Sequence, residues 1–273
     1  MSTSENLKRV IVAIVAIPVI LIATYLGGYY FLSFVSIISL LSFYEFSLIA
    51  KNKDARTNLL FGEIIILLFL VNQFKGFIDT TTLIVISSLF LLTFELFRNK
   101  DSAILNLGVT FLGIFYIGIF SASLIALREF YPYMGDDYYY GSYLVISVFI
   151  STWIGDSAAY YGGTAFGNHK LFPRVSPNKS WEGAIFGFIF SVLTMILAKL
   201  IALDFLNLFN VVVIGIIIGI VGPIGDLVES LLKRDSAVKD SSSFIPGHGG
   251  FFDRFDSLLF SVPVIWMYLR YFV

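Results

Sequence analysis

The feature that most constrains this chain is its division into apolar runs, at residues 10–26, 30–50, 59–72, 80–97, 103–127, 142–161, 181–200, 211–232 and 251–272. About 20 apolar residues carry a helix across the hydrocarbon core of a bilayer, and backbone in lipid must satisfy its hydrogen bonds internally. Hydrophobicity runs unbroken along each stretch instead of alternating, which excludes a strand barrel. The pattern therefore predicts an all-α fold, a polytopic transmembrane helical bundle of about nine spans. The run at 59–72 is short and carries Glu63, and that at 103–127 is long and broken by glycines, so eight or ten spans also fit. Composition points the same way: 58% hydrophobic and 14% charged residues, against about 45–50% and 25% in soluble domains.

The first run follows Lys8 and Arg9 as in a signal peptide, but no small-x-small cleavage site ends it, and it is read as a retained span. With no cysteine, disulfides, thiolate metal sites and cysteine nucleophiles are excluded. A net charge of -1 argues against a broad polyanion-binding surface, so no nucleic-acid partner is expected and any phosphate recognition must come from local basic clusters. Nine spans with the N-terminus inside leave only Lys75, Arg128, Lys199 and Arg270, of 18 basic residues, on the outer side. The positive-inside rule thus places the loops at 162–180 and 233–250 in the cytoplasm, and the chain in the cytoplasmic (inner) membrane.

Acidic residues in apolar spans are costly and mark function by default. In the first half Glu45, Glu63 and Glu95 are isolated and read as helix-end or snorkelling residues. The second half gathers Asp156, Glu182, Asp226, Glu229, Asp253 and Asp256 toward one membrane face. Asp226, Glu229 and Lys233 fall at i, i+3 and i+7 on one helical face, and Asp253 and Asp256 again at i and i+3. Carboxylates so close repel unless a cation sits between them, and an oxygen-only donor set suits Mg²⁺. The alternative is an ion-pair network of Asp226, Lys233, Arg234, Asp253 and Arg254 that only ties two helices together.

Two loops supply the opposite charge. One, "KRDSAVKDSSSFIPGHGG", offers Lys233, Arg234, Lys239 and a glycine-rich turn whose amides suit an anion. The other, "GGTAFGNHKLFPRVSPNKSWEG", carries Lys170, Arg174 and Lys179, with Ser180 as the expected N-cap of the next helix and Glu182 in its first turn. The histidines, His169 and His248, make no zinc site by themselves.

The run "SLLKRDSAVKDSSSFIPGHGGFFDRFD", residues 230–256, resembles the signature of the phosphatidate cytidylyltransferases (CDP-diacylglycerol synthases), and "STWIGDSAAYYGG" and "SPNKSWEG" resemble that family's upstream motifs. The likeness covers residues 151–260. It implies a bundle with a cytoplasm-facing polar cavity, conversion of CTP and phosphatidate to CDP-diacylglycerol and pyrophosphate in phospholipid biosynthesis, and a homodimer. It also implies dependence on Mg²⁺, alone or with a second divalent or a monovalent cation. The phosphate monoester of phosphatidate, with a second pKa near ~6, needs no strong base. The chemistry asks instead for charge neutralisation and in-line placement.

On this resemblance Asp226, Asp253 and Asp256 are expected to hold metal, with Asp156 and Glu229 as second choices. Lys233, Arg234 and Lys239 join them as catalytic residues. Lys179, Ser180, Ser176, Asp156, His248, Gly249, Gly250 and Arg254 are expected to bind substrate. Residues 1–130 are read as supporting or lipid-facing helices and 131–273 as the catalytic region, with phosphatidate entering from among the membrane lipids. The rival readings are a CTP-dependent polyprenol kinase, a related CTP:lipid cytidylyltransferase, and a secondary transporter. The last predicts charges near the midplane.

Overall fold

The computed structural model describes residues 3–131, 137–245, 247 and 249–273, with side chains from residue 10 onward. Each apolar run becomes helix: α1 (Thr3–Leu26), α2 (Gly28–Lys51), α3 (Leu59–Lys75), α4 (Thr80–Arg98), α5 (Ala103–Gly113), α6 (Phe120–Arg128), α7 (Tyr138–Phe166), α8 (Trp181–Ile201), α9 (Leu208–Asp235) and α10 (Phe252–Phe272). A π-helical segment, Ile114–Ile119, joins α5 to α6, so the glycine-broken fifth run is one rod in three parts. A hairpin, β1 (Lys170–Phe172) with β2 (Ser176–Ser180), interrupts the helices, pairing Lys170 with Ser180 and Phe172 with Ser176.

Among the described residues, six segments are long and apolar enough to cross a membrane: Gly28–Lys51, Thr80–Arg98, Ala103–Arg128, Tyr138–Phe166, Trp181–Ile201 and Leu208–Asp235. The chain is thus a polytopic helical membrane protein. The other three predicted runs are helical but fall short for separate reasons. The apolar part of α1 is the shorter stretch Val10–Leu26, and α3 has 17 residues. Helix α10 carries Asp253, Arg254 and Asp256 in its first two turns.

The residues cluster into two compact units. One comprises Met1–Ala23, Gly28–Ala126 and Leu232–Arg254. Its core is built on the fully buried Phe43, Ile66, Leu70 and Ile117, which α2, α3 and the π-helical segment supply. Its polar knot joins Glu95 to Arg98 at 3.1 Å and to Asn106 Nδ2 at 2.8 Å, so Glu95 is buried at its helix end and does not reach out to water.

The other unit comprises Thr24–Gly27, Leu127–Leu231 and Phe255–Val273. Helices α7 and α8 pack along their length, and Ser151 Oγ donates to the Ser191 carbonyl at 3.0 Å. Arg128 is fully buried there, donating from Nε to Thr24 O at 2.6 Å and from Nη2 to Tyr25 O at 3.1 Å.

Candidate active site

The acidic cluster is assembled by α9 and α10. Asp226 and Glu229 stand one turn apart on α9, and Asp256 comes from α10. The helices approach closely at Gly225, where a Cβ would lie 2.6 Å from the Asp256 carbonyl oxygen, so a larger residue would force them apart. Asp226, Glu229 and Asp256 each offer a carboxylate oxygen, and these oxygens lie within 4.8 Å of one another. Glu229 is buried and the two aspartates are half-buried.

Basic and hydroxyl groups border this cluster. Lys179 Nζ, on β2, donates to Asp226 Oδ2, and Ser230 Oγ donates to Asp226 Oδ1 at 3.3 Å. Lys179 arrives there because the hairpin ends at Ser180, whose hydroxyl accepts the Gly183 N–H at 3.2 Å and starts α8, as expected of an N-cap. The donor set is all oxygen, at a spacing a hard divalent cation bridges, and therefore fits Mg²⁺. One ammonium group already offsets part of the charge.

In the other unit, Asp253 organises the loop between α9 and α10. Its Oδ1 accepts Lys233 Nζ at 2.6 Å, and its Oδ2 accepts the N–H of Ser241 at 3.0 Å and that of Gly250 at 2.8 Å. Ser241 Oγ lies 3.0 Å from the same Oδ2. Lys233 and Asp253 therefore share a nearly water-free pocket, whereas Arg234, Lys239 and Arg254 are exposed. Arg234 Nη1 donates to the Val238 carbonyl at 3.2 Å, bracing the turn after α9. Gly249 adopts φ 80° and bridges to Ile245, whose N–H meets its carbonyl at 2.9 Å.

Glu45 corrects the sequence reading. Expected to snorkel or end a helix, it is fully buried in α2 and receives four donors from the same loop. Ser242 Oγ (2.6 Å) and Phe251 N–H (3.0 Å) reach Oε1; Ser241 Oγ (2.9 Å) and Phe252 N–H (2.9 Å) reach Oε2. Its signal was an acid amid the aromatic residues of "FYEFS", the kind of apolar context in which a carboxylate must find partners.

Ser176 lies on β2 opposite Phe172, and Asp156 is exposed on α7. Gly250 is buried beside Ser241 and Glu45. His248 lies outside the described residues. His169 Nδ1 is 2.6 Å from Glu182 Oε1, which ties the hairpin's entry to the first turn of α8.

Comparison with known proteins bears on this arrangement. A family model described as the cytidylyltransferase family matches residues 7–272. The phosphatidate cytidylyltransferase of Haemophilus influenzae is 43% identical over 166 residues, 56% of this chain and 54% of that protein. That alignment spans about half of each. The phosphatidate cytidylyltransferase of Staphylococcus haemolyticus is 31% identical over 261 residues, 94% of this chain and 96% of its own length. That of Brucella suis biovar 1 is 34% identical over 268 residues, 97% and 93% of the two chains.

Proposed function

The chain belongs to the cytidylyltransferase family, and from that premise we propose that it is a phosphatidate cytidylyltransferase, converting CTP and phosphatidate to CDP-diacylglycerol and pyrophosphate. A phosphate oxygen of phosphatidate bonds to the α-phosphorus of CTP while the α–β bridging P–O bond breaks, and the bond's electrons leave on pyrophosphate. The observation that carries the reading is the contact of Lys179 with Asp226, whose carboxylate clusters with those of Glu229 and Asp256. An anion-rich reaction needs such a pairing of cation sites with a basic clamp.

Mg²⁺ is assigned to Asp226, Glu229 and Asp256, where when bound it would neutralise phosphate charge. Asp253 is assigned to the loop, because its oxygens already accept Lys233, Ser241 and Gly250. Lys179, Arg234 and Lys239 hold phosphates, Lys233 keeps a positive charge fixed under the loop, and the amides around Gly249 and Gly250 line the nucleotide side. Ser176, Ser180, Asp156, His248 and Arg254 complete the substrate-binding set. Phosphatidate enters from the lipid with its acyl chains still in the bilayer. The distribution of basic residues supports nine spans in the cytoplasmic membrane with the N-terminus inside, and the family resemblance implies a homodimer with a polar cavity on the cytoplasmic side.

The test uses purified protein in detergent with Mg²⁺, phosphatidate and CTP labelled at either the α- or the γ-phosphate. Transfer of α-label to lipid and release of γ-label as pyrophosphate are expected. Transfer of γ-label to lipid would instead make the protein a lipid kinase, and no labelled lipid would refute the reading.

A further inference from the structure

We infer that Glu45 is a positioning residue for the phosphate-binding loop, capping the start of α10 from α2 and holding the loop closed against the N-terminal helices. The geometric part stands on its own contacts; its catalytic consequence rests on the proposed cytidylyltransferase reading.

The first N–H groups of any helix lack intrahelical partners and are met by a nearby side chain, most often the helix's own N-cap. Here that oxygen comes from a residue 207 positions earlier, because Phe252 N–H donates to Glu45 Oε2 at 2.9 Å. Phe251 N–H donates to Oε1 at 3.0 Å, so the carboxylate receives two successive amides at the helix's positive end. Each oxygen also receives one serine hydroxyl, from Ser242 at 2.6 Å and Ser241 at 2.9 Å. The four donors fill the carboxylate.

Ser241 links this cap to the second anchor. Its N–H donates to Asp253 Oδ2 at 3.0 Å while its hydroxyl faces Glu45. Gly250 is required at the meeting point, since a Cβ there would collide with both Ser241 Oγ and Glu45 Oε2. Packing supports the same closure: Phe252 is fully buried, its ring 6.1 Å from that of Phe46 and 5.5 Å from that of Tyr116. Nearer the end of α2, Asn52 Nδ2 donates to the Ser236 carbonyl at 3.3 Å, and Lys53 pairs with Asp235 at 3.1 Å. Helix α2 thus grips the segment that carries Lys233 and Lys239 at both of its ends, with the buried Glu45 as the stronger hold.

A glutamine in place of Glu45 keeps the shape but not the fit. Each carboxylate oxygen faces one backbone N–H, so an amide must aim its NH₂ group at one of them. The serine hydroxyls can rotate to accept, whereas the backbone cannot.

The test compares full-length wild type with Glu45→Gln and Ser242→Ala in detergent, by two readouts. Hydrogen exchange without substrate should be about tenfold faster for the peptide spanning 241–252 in Glu45→Gln, and a few-fold faster in Ser242→Ala, with the α7–α8 peptides unchanged. In turnover, KM for CTP should rise about tenfold in Glu45→Gln while kcat falls less. A purely structural role would lower active protein without moving KM. Unchanged exchange in a folded Glu45→Gln protein overturns the inference. Should that variant fail to fold, wild-type exchange in Ser242→Ala overturns it instead. If no variant, wild type included, makes labelled lipid, the proposed activity fails while the exchange readout still decides the anchoring.

Discussion

Lys233 Nζ stands 2.6 Å from Asp253 Oδ1, with the two side chains only 9% and 5% exposed. Removing one member of such a buried pair leaves a charge with poor solvation, at a cost of about 3–5 kcal/mol. Lys233→Met and Asp253→Asn are each expected to lower the unfolding midpoint in detergent substantially. The double replacement Lys233→Met with Asp253→Asn, whose amide oxygen can still accept the loop N–H groups, should cost less than the two single losses added together but should not restore activity, because the positive charge under the loop is gone. Additive losses in the double variant would show that the two side chains act independently.

The carboxylates of Asp226, Glu229 and Asp256 behave differently. Asp256→Asn and Glu229→Gln each remove charge from a cluster whose oxygens lie within 4.8 Å of one another. Both should raise the Mg²⁺ concentration for half-maximal rate by tenfold or more. They should also shrink the rise in unfolding temperature that Mg²⁺ gives the wild type, since a ligand stabilises in proportion to RT ln(1 + [L]/Kd). Asp253→Asn should leave that Mg²⁺-dependent rise intact. Equal loss of the rise in Asp253→Asn would return Asp253 to the ion.

Lys179 and a divalent cation both favour the Asp226 carboxylate, and Lys179 Nζ already donates to it. Two positive groups on one oxygen pair repel. Lys179→Met is therefore expected to lower the Mg²⁺ requirement several-fold while raising KM for CTP, as the phosphate loses its clamp. Parallel titrations of Mg²⁺ and CTP separate the effects. A Mg²⁺ requirement that rises would mean Lys179 helps to build the cation site instead of competing for it.

These predictions draw on parts of the molecule that differ in how far sequence alone reveals them. The helical runs were readable because lipid admits only continuous apolar segments with internally bonded backbone. Local spacing was also readable: Asp226 and Glu229 do share a face, and Ser180 does cap α8. Asp253 and Asp256 share the same i, i+3 spacing, yet their carboxylates have different partners. Asp253 meets donors from Lys233, Ser241 and Gly250, whereas Asp256 joins Asp226 and Glu229. Spacing places two side chains on one face but does not say which groups that face meets. Glu45 was hidden for a related reason, because its partners are 196 to 207 residues away in sequence. A lone acid in an apolar helix announces a need for partners without naming them.

Arg128 poses the same need with the opposite charge. Fully buried, it donates to the carbonyls of Thr24 and Tyr25 in the last turn of α1, and its guanidinium carbon lies 4.3 Å above the Tyr138 ring. The last carbonyls of a helix call for partners outside its own ladder, and a planar fork serves two of them together in a way a single ammonium does not. Arg128→Lys should therefore lower the unfolding temperature, by an amount corresponding to about 1–3 kcal/mol for the charged hydrogen bonds lost. Arg128→Met should cost at least as much. Among the described residues Arg128 meets Thr24, Tyr25, Glu129 and Tyr138, none of them assigned to CTP or Mg²⁺, so KM for CTP and the Mg²⁺ requirement of the folded fraction should match the wild type. Thermal unfolding beside kinetics at a temperature where both variants remain folded makes the comparison. A shifted KM would mean that the end of α1 bears on the site.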